Sequence, residues 1–187
     1  MSAVPGQTVG PFFHLGLEYP RMNELVPPAS PRAVRLHGRV TDGGGDPVPD
    51  AVIEIWQADP QGAVLRTPGS LRRDGWTFTG WGRAATDPDG HYQFFTLEPG
   101  ATEPDRAPFF AVTVFARGLL DRLFTRAYLP DDPDLLANDT LLESVAPDRR
   151  ATLITRREPD GLVFDIRLQG DGETVFLTYP RLRDSWA

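Results

Sequence analysis

From residue 34 onward, apolar and polar positions alternate in short runs. "VRLHGRV" (34–40) has the period of two of a half-buried strand. "AVIEIWQAD" (51–59) sets Val52, Glu54 and Trp56 on one face and Ala51, Ile53 and Ile55 on the other. Alternation predicts Trp56 as a core residue. "GRAAT", "HYQFFTL", "FFAVTVFAR" and "RLFTRAYL" read as further strands. They are separated by the turn signals "TDGGGDPVPD", "DPQG", "DPDG" and "GLLD". Residues 66–80 have no period and read as a long loop. Residues 134–157 break the pattern: Leu135, Leu136, Leu141, Leu142 and Val145 predict short helical turns, with Asp148 capping one over 149–157. "DGLVFDIRLQGDGETVFLTY" then predicts two strands joined by a "GDGE" hairpin.

Many short strands with turns every 8–12 residues predict an all-β sandwich. Residues 1–32 are set apart by Pro5, Pro11, Pro20, Pro27, Pro28 and Pro31 and by the absence of any period. They also carry Phe12, Phe13, Leu15, Leu17 and Tyr19, too apolar for a solvated tail. The expected organisation is an arm, 1–32, that docks on a surface such as a partner chain, followed by one domain, 33–187.

Composition narrows the function classes. The chain has 187 residues, 40% of them hydrophobic, enough for one domain with a core. Its net charge is −7 and no basic stripe occurs, so no nucleic-acid partner is expected. No apolar run is long enough to span a bilayer, the first residues lack a secretory pattern, and Cys is absent; the expectation is a cytoplasmic protein.

Candidate chemistry is sparse. The three histidines, His14, His37 and His91, are not paired at ligand spacing. "TDPDGHY" lacks the full spacing and closing Glu of a calcium loop and reads as a turn. No nucleophile motif is present. Trp76 and Trp81 flank a Gly-rich loop and could stack on a ring. Arg126 sits between apolar residues of a strand and needs a partner there, a carboxylate of the fold or an anionic ligand. On these residues alone the chain is a partner or binding module, a transthyretin-like or carbohydrate-binding sandwich among the alternatives.

Several stretches are more specific. "GRVTDGGGDPVPDAVIEIWQADPQG" and "GRAATDPDGHYQFFTLEPG" resemble consecutive blocks of the intradiol ring-cleavage dioxygenases. "QTVGPFF", "FARGLLDRLFTRAYL", "RRATLITRRE" and "FDIRLQGDGETVF" resemble the alpha chains of the family's two-chain, protocatechuate-cleaving members. The resemblance covers nearly the whole chain. It implies a prealbumin-like β-sandwich and a ferric centre, held by two Tyr and two His, that activates a catecholate for ring opening by dioxygen. Hard phenolate oxygens suit ferric iron.

The ligand positions are changed in this sequence. The family's R-P-x-H-x-H matches "RAPFFA", which keeps Arg106 but holds Phe109 and Ala111 where the histidines belong. Ala101 and Thr102 follow Pro99-Gly100 where a Tyr is expected, and no Tyr occurs between Tyr19 and Tyr92. The resemblance therefore implies that Fe(III) is bound by a beta-type partner of the same fold in a hetero-oligomer, and that this chain has no catalytic or metal-binding residues of its own. It implies that Thr8, Gly10, Pro11, Phe12 and Arg126 contribute to protocatechuate binding at the partner's site. Phe12 stands where the family can have Tyr and carries no hydroxyl.

Overall fold

A computed structural model describes residues 7–66 and 73–179. Two sheets face each other. One contains β1 (Val34–Thr41), β4 (His91–Thr96), β7 (Arg156–Glu158) and β8 (Gly161–Val163) in the order β4-β1-β8-β7, with β9 (Ile166–Arg167) also on β1. The other contains β2 (Val52–Gln57), β3 (Trp81–Ala85), β5 (Phe109–Phe115) and β6 (Leu123–Tyr128) in the order β3-β2-β5-β6. The alternating positions read from the sequence fill the space between them. Leu36, Val40, Phe94 and Leu162 meet Ile53, Ile55, Phe110, Val112 and Val114, all buried. The expected all-β sandwich is therefore the observed fold.

The first sheet is held by a pairing that alternation does not reveal. β8 and β9 both run parallel to β1, interrupted at Phe164 and Asp165. At the break, Phe164 N donates to His37 O at 2.8 Å and Arg39 N donates to Asp165 Oδ1 at 3.0 Å, so β1 stays satisfied. The crossing is close: a Cβ on Gly38 would lie 1.9 Å from Phe164 O, which only glycine avoids.

Two local expectations are corrected. Asp148 caps nothing: a 3-10 turn spans Arg150–Leu153, its N-cap position is Arg149 without a side-chain bond, and 156–158 is strand β7. Helical turns do form earlier, at α1 (Pro133–Asn138) and α2 (Thr140–Ser144), where Asp132 and Asp139 accept from backbone N–H groups of the first turn. The hairpin predicted at 160–179 is only partly formed. Its turn closes through Glu173 N to Gly170 O and Thr174 N to Arg167 O, but beyond it only Leu177 makes a bridge, to Phe124 of β6. The returning segment thus leaves the first sheet for the edge of the second.

The described part of the arm lies on its own sandwich. Phe95 N donates to Asn23 O, and Leu25 N to Phe95 O, on the edge strand β4. Arg83 N donates to Met22 O on the edge strand β3. Residues 22–25 thus cover one edge of each sheet, which removes two templates for unwanted strand addition. Leu25 is buried in the core. Phe12, by contrast, is 74% exposed.

Candidate functional site

The outer face of the second sheet is where the candidate residues meet. Glu54 faces outward on β2 and is paired with Arg83 of β3, Nη2 to Oε1 2.5 Å, so its neighbour two residues on, Trp56, faces outward as well. Trp56 is 48% exposed, which corrects its expected place in the core. The charge at Glu54 was the sequence signal that this face points away from the core. Strand register then aligns Trp81, Trp56, Ala111 and Arg126 as direct neighbours across four strands.

One end of this face is capped by a second apolar cluster. Tyr128, Leu142, Leu153 and Ala107 are buried there, with Phe109 packed against them. Tyr128 holds Arg126: Arg126 Nη1 donates to Tyr128 Oη at 3.0 Å, and Tyr128 Oη donates to Asp139 Oδ1 at 3.0 Å. Burial pushes the Tyr128 phenol up to about 12, so it serves as a neutral donor at ordinary pH. The Arg126 guanidinium also stacks on Phe109, 3.9 Å from the ring centroid. No carboxylate of the described residues lies within ion-pair distance of Arg126. Of the two partners expected from sequence, the structural carboxylate is absent among the described residues, where a phenol and an aromatic face hold the guanidinium. Tyr128, missed by sequence reasoning, is the residue that orients Arg126.

The same face holds a cavity of about 130 Å³, walled by Trp56, Val64, Thr102, Phe109 and Ala111, of which Phe109 and Ala111 also neighbour Arg126. A tight turn shapes its far wall. Asp59 Oδ1 accepts from Gln61 N and Ala63 N, each at 2.9 Å, and Gly100 N donates to Asp59 O. Gly62, at φ +85°, passes so close to Ala101 O that a Cβ would lie 2.0 Å away. This cavity contains positions 109 and 111, to which the resemblance assigns the two histidine ligands of iron. Phe109 and Ala111 offer no donor atom, and the described residues contain no group of three or more His, Cys, Asp or Glu able to hold a metal. Ferric iron does not fit this donor set. Arg106, retained from the family motif, bonds instead to Thr140 at the start of α2.

The arm residues are placed elsewhere. Thr8 Oγ1 accepts from Gly118 N at 2.7 Å, in the β5–β6 connection, and Phe13 packs on Phe115, with ring centroids 5.7 Å apart. Gly10 and Pro11 begin the turn whose first bond is Phe13 N to Gly10 O. Phe115 lies four residues along β5 from Ala111, a strand distance of about 13 Å. Among the described residues, no hydrogen bond or ring contact joins Thr8, Gly10, Pro11 or Phe12 to Arg126. The two Trp residues of the alternative stacking reading are also unlike each other: Trp76 is 93% exposed and Trp81 is buried. His37 and His91 lie beside different acids, Asp160 and Asp87, and Asp87 closes a plain turn onto Asp89 N and His91 N.

Comparison with known proteins places this architecture. Residues 27–170 match the family model described as "Dioxygenase". The dioxygenase domain of a dioxygenase–carbohydrate-binding protein fusion from Streptomyces sp. SirexAA-E superimposes with a TM-score of 0.60 at 27% identity, covering 89% of this chain and 97% of that one. The chain belongs to the intradiol ring-cleavage dioxygenase family. Within that family it is 38% identical to the protocatechuate 3,4-dioxygenase alpha chain of Burkholderia cepacia, over 94% of this chain and 97% of the relative. The beta chain from the same organism is 34% identical over 73% of this chain and 64% of its own length.

Proposed function

We propose that this chain is an alpha-type subunit that completes the active site of an iron-bearing, beta-type partner, in a hetero-oligomer that acts in the cytoplasm. The pair would open the ring of protocatechuate between its two hydroxyl-bearing carbons. Both atoms of O2 enter the product, 3-carboxy-cis,cis-muconate. The observation that carries this reading is the apolar cavity at Phe109 and Ala111: the family's fold is kept while the ligand positions hold side chains without donors. On this reading the iron comes from the beta-type partner.

This chain's own contribution is recognition. Protocatechuate carries a carboxylate, and Arg126 is a partly buried cation that pairs with no carboxylate among the described residues. A hydrogen bond to a charged group contributes about 1.5–3 kcal/mol, roughly ten- to a hundredfold in affinity. The arm supplies Thr8, Gly10, Pro11 and Phe12 as a stiff apolar wall at the subunit boundary, where a proline-fixed backbone lowers the entropy of ordering. Exposed Phe12 suits a surface that a partner covers.

The test compares this chain alone, the beta-type chain alone and the co-expressed pair. Iron content and oxygen uptake with protocatechuate are measured in each. Stoichiometric iron and full turnover only in the pair is the expected result. Iron bound and turned over by this chain alone would overturn the reading.

A further inference from the structure

The first described residues of the arm run along the second sheet, where contacts at Thr8, Phe13 and Leu17 seat them. Thr8 Oγ1 accepts from Gly118 N at 2.7 Å, Phe13 packs on Phe115, and Leu17 O accepts from Arg83 Nη1 at 3.3 Å. A cross-strand ion pair stands behind each end of this seat. Arg83 is paired with Glu54, its opposite residue in the ladder. Gly118 follows Arg117, whose Nε lies 2.7 Å from Asp50 Oδ2.

Asp50 and Arg117 continue the antiparallel β2–β5 ladder. Val52 is opposite Phe115, and two residues further out Asp50 falls opposite Arg117. The two partners differ in freedom. The Asp50 carboxylate is buried, its side chain 8% exposed, and its Oδ1 has no hydrogen-bond partner among the described residues. Its backbone is fixed on both sides by buried Thr86, which donates to Val48 O at 2.7 Å and accepts from Ala51 N at 3.0 Å. Arg117 is half exposed, on a long side chain that solvent alone would leave free. A fixed, buried acceptor thus holds a flexible cation, and with it the turn whose next amide receives Thr8.

We propose that Asp50 is a positioning residue for the arm: through Arg117 it fixes the Gly118 amide on which Thr8 docks, and so sets where Gly10, Pro11 and Phe12 meet the partner. The inference rests on the subunit reading for what the arm does, and adds the group that aims it. Gly10, Pro11 and Phe12 lie between the two contacts at Thr8 and Phe13, so release of Thr8 leaves them held at one end only. A wall that must be ordered at the moment of binding recognises its ligand less tightly than one already in place.

The test compares the co-expressed pair with its Asp50→Val variant, in which an apolar side chain of similar size replaces the carboxylate and cannot pair with Arg117. Val48, Leu119 and Leu168 line the same cleft as Asp50, so the apolar replacement suits its surroundings. Amide hydrogen exchange at Gly118 should accelerate about tenfold or more, and that of residues 9–16 with it, while the core strands exchange as in wild type. KM for protocatechuate should rise about fivefold with kcat within about twofold, because the wall binds substrate and takes no part in the chemistry. Arg117→Met, which alters the exposed partner, should reproduce both effects, whereas Arg117→Lys, which keeps the charge, should stay within about twofold of wild type. A pair that was merely less stable would lose active fraction, and hence kcat, without a rise in KM. Unchanged exchange at Gly118 in either Asp50→Val or Arg117→Met overturns the proposal. Faster exchange with an unchanged KM does so too, as does an Arg117→Lys variant that behaves like Arg117→Met. Exchange needs no turnover, so a preparation that consumes no oxygen would count against the subunit reading and leave the seating of the arm readable.

Discussion

Replacing Tyr128 with Phe removes one oxygen and no carbon from a fully buried side chain. The ring keeps its packing on Phe109, with centroids 5.5 Å apart, so no cavity is created. What is lost is the hydroxyl's bond from Arg126 and its bond to Asp139, each 3.0 Å. Asp139 still accepts from Leu141 N and Leu142 N and needs little compensation. Arg126 keeps only its aromatic face. One bond to a charged group is therefore the dominant loss, about 2 kcal/mol. For a chain of this length that corresponds to a fall of about 4–8 °C in Tm. Calorimetry of the pair at fixed protein concentration measures it, and a double-mutant cycle with Arg126→Met should return a coupling of about 1 kcal/mol or more. The pH dependence has a definite sign. Burial raises the phenol of the folded chain to about 12, against about 10 when unfolded, so its contribution is complete below about pH 10 and is lost as pH rises toward 12. The gap between wild type and Tyr128→Phe should narrow over that window. An unchanged Tm, or strictly additive effects with Arg126→Met, would refute the idea that Tyr128 orients Arg126.

Gly38→Ala should abolish soluble expression of the folded chain, because its Cβ would sit 1.9 Å from Phe164 O where β1 is paired on both sides; recovery of wild-type circular dichroism and Tm would contradict this. Arg83→Met strands the Glu54 carboxylate, whose side chain is only 17% exposed, and frees Leu17 O in the arm; a loss of about 3–5 kcal/mol in urea unfolding is expected, largely rescued by adding Glu54→Gln. The double variant Phe109→His with Ala111→His restores two imidazoles on one face of β5 but no phenolate. The purified chain should therefore retain no ferric iron after desalting, and stoichiometric iron with a visible charge-transfer band would show that two histidines suffice.

Much of the sandwich was legible as period-two alternation, because one face of each strand must be apolar to meet the other sheet. Strands β1 to β6 follow the runs read from the sequence. The C-terminal region was not, because β8 and β9 pair parallel to β1, more than 100 residues away, and no local pattern encodes a distant partner. The helical turns at α1 and α2 were visible through their leucines, whereas Asp148 was a plausible cap that the chain does not use. In the site, Trp56 was misplaced although Glu54 on the same face was the clue, and Arg126 was singled out without its anchor.

The sequence by itself determined the class of fold, the absence of donor side chains at positions 109 and 111, and the need for a partner at Arg126. These are properties of residue type and local period, which a single chain of letters carries in full. Only the tertiary structure decided that Trp81, Trp56, Ala111 and Arg126 form one row, that the vacated cavity stays open, and that Tyr128 rather than a carboxylate holds the guanidinium. Those depend on strand register and on which layer covers the outer face of the second sheet. Both are set by contacts between segments far apart in sequence, where no residue's neighbours along the chain report its neighbours in space.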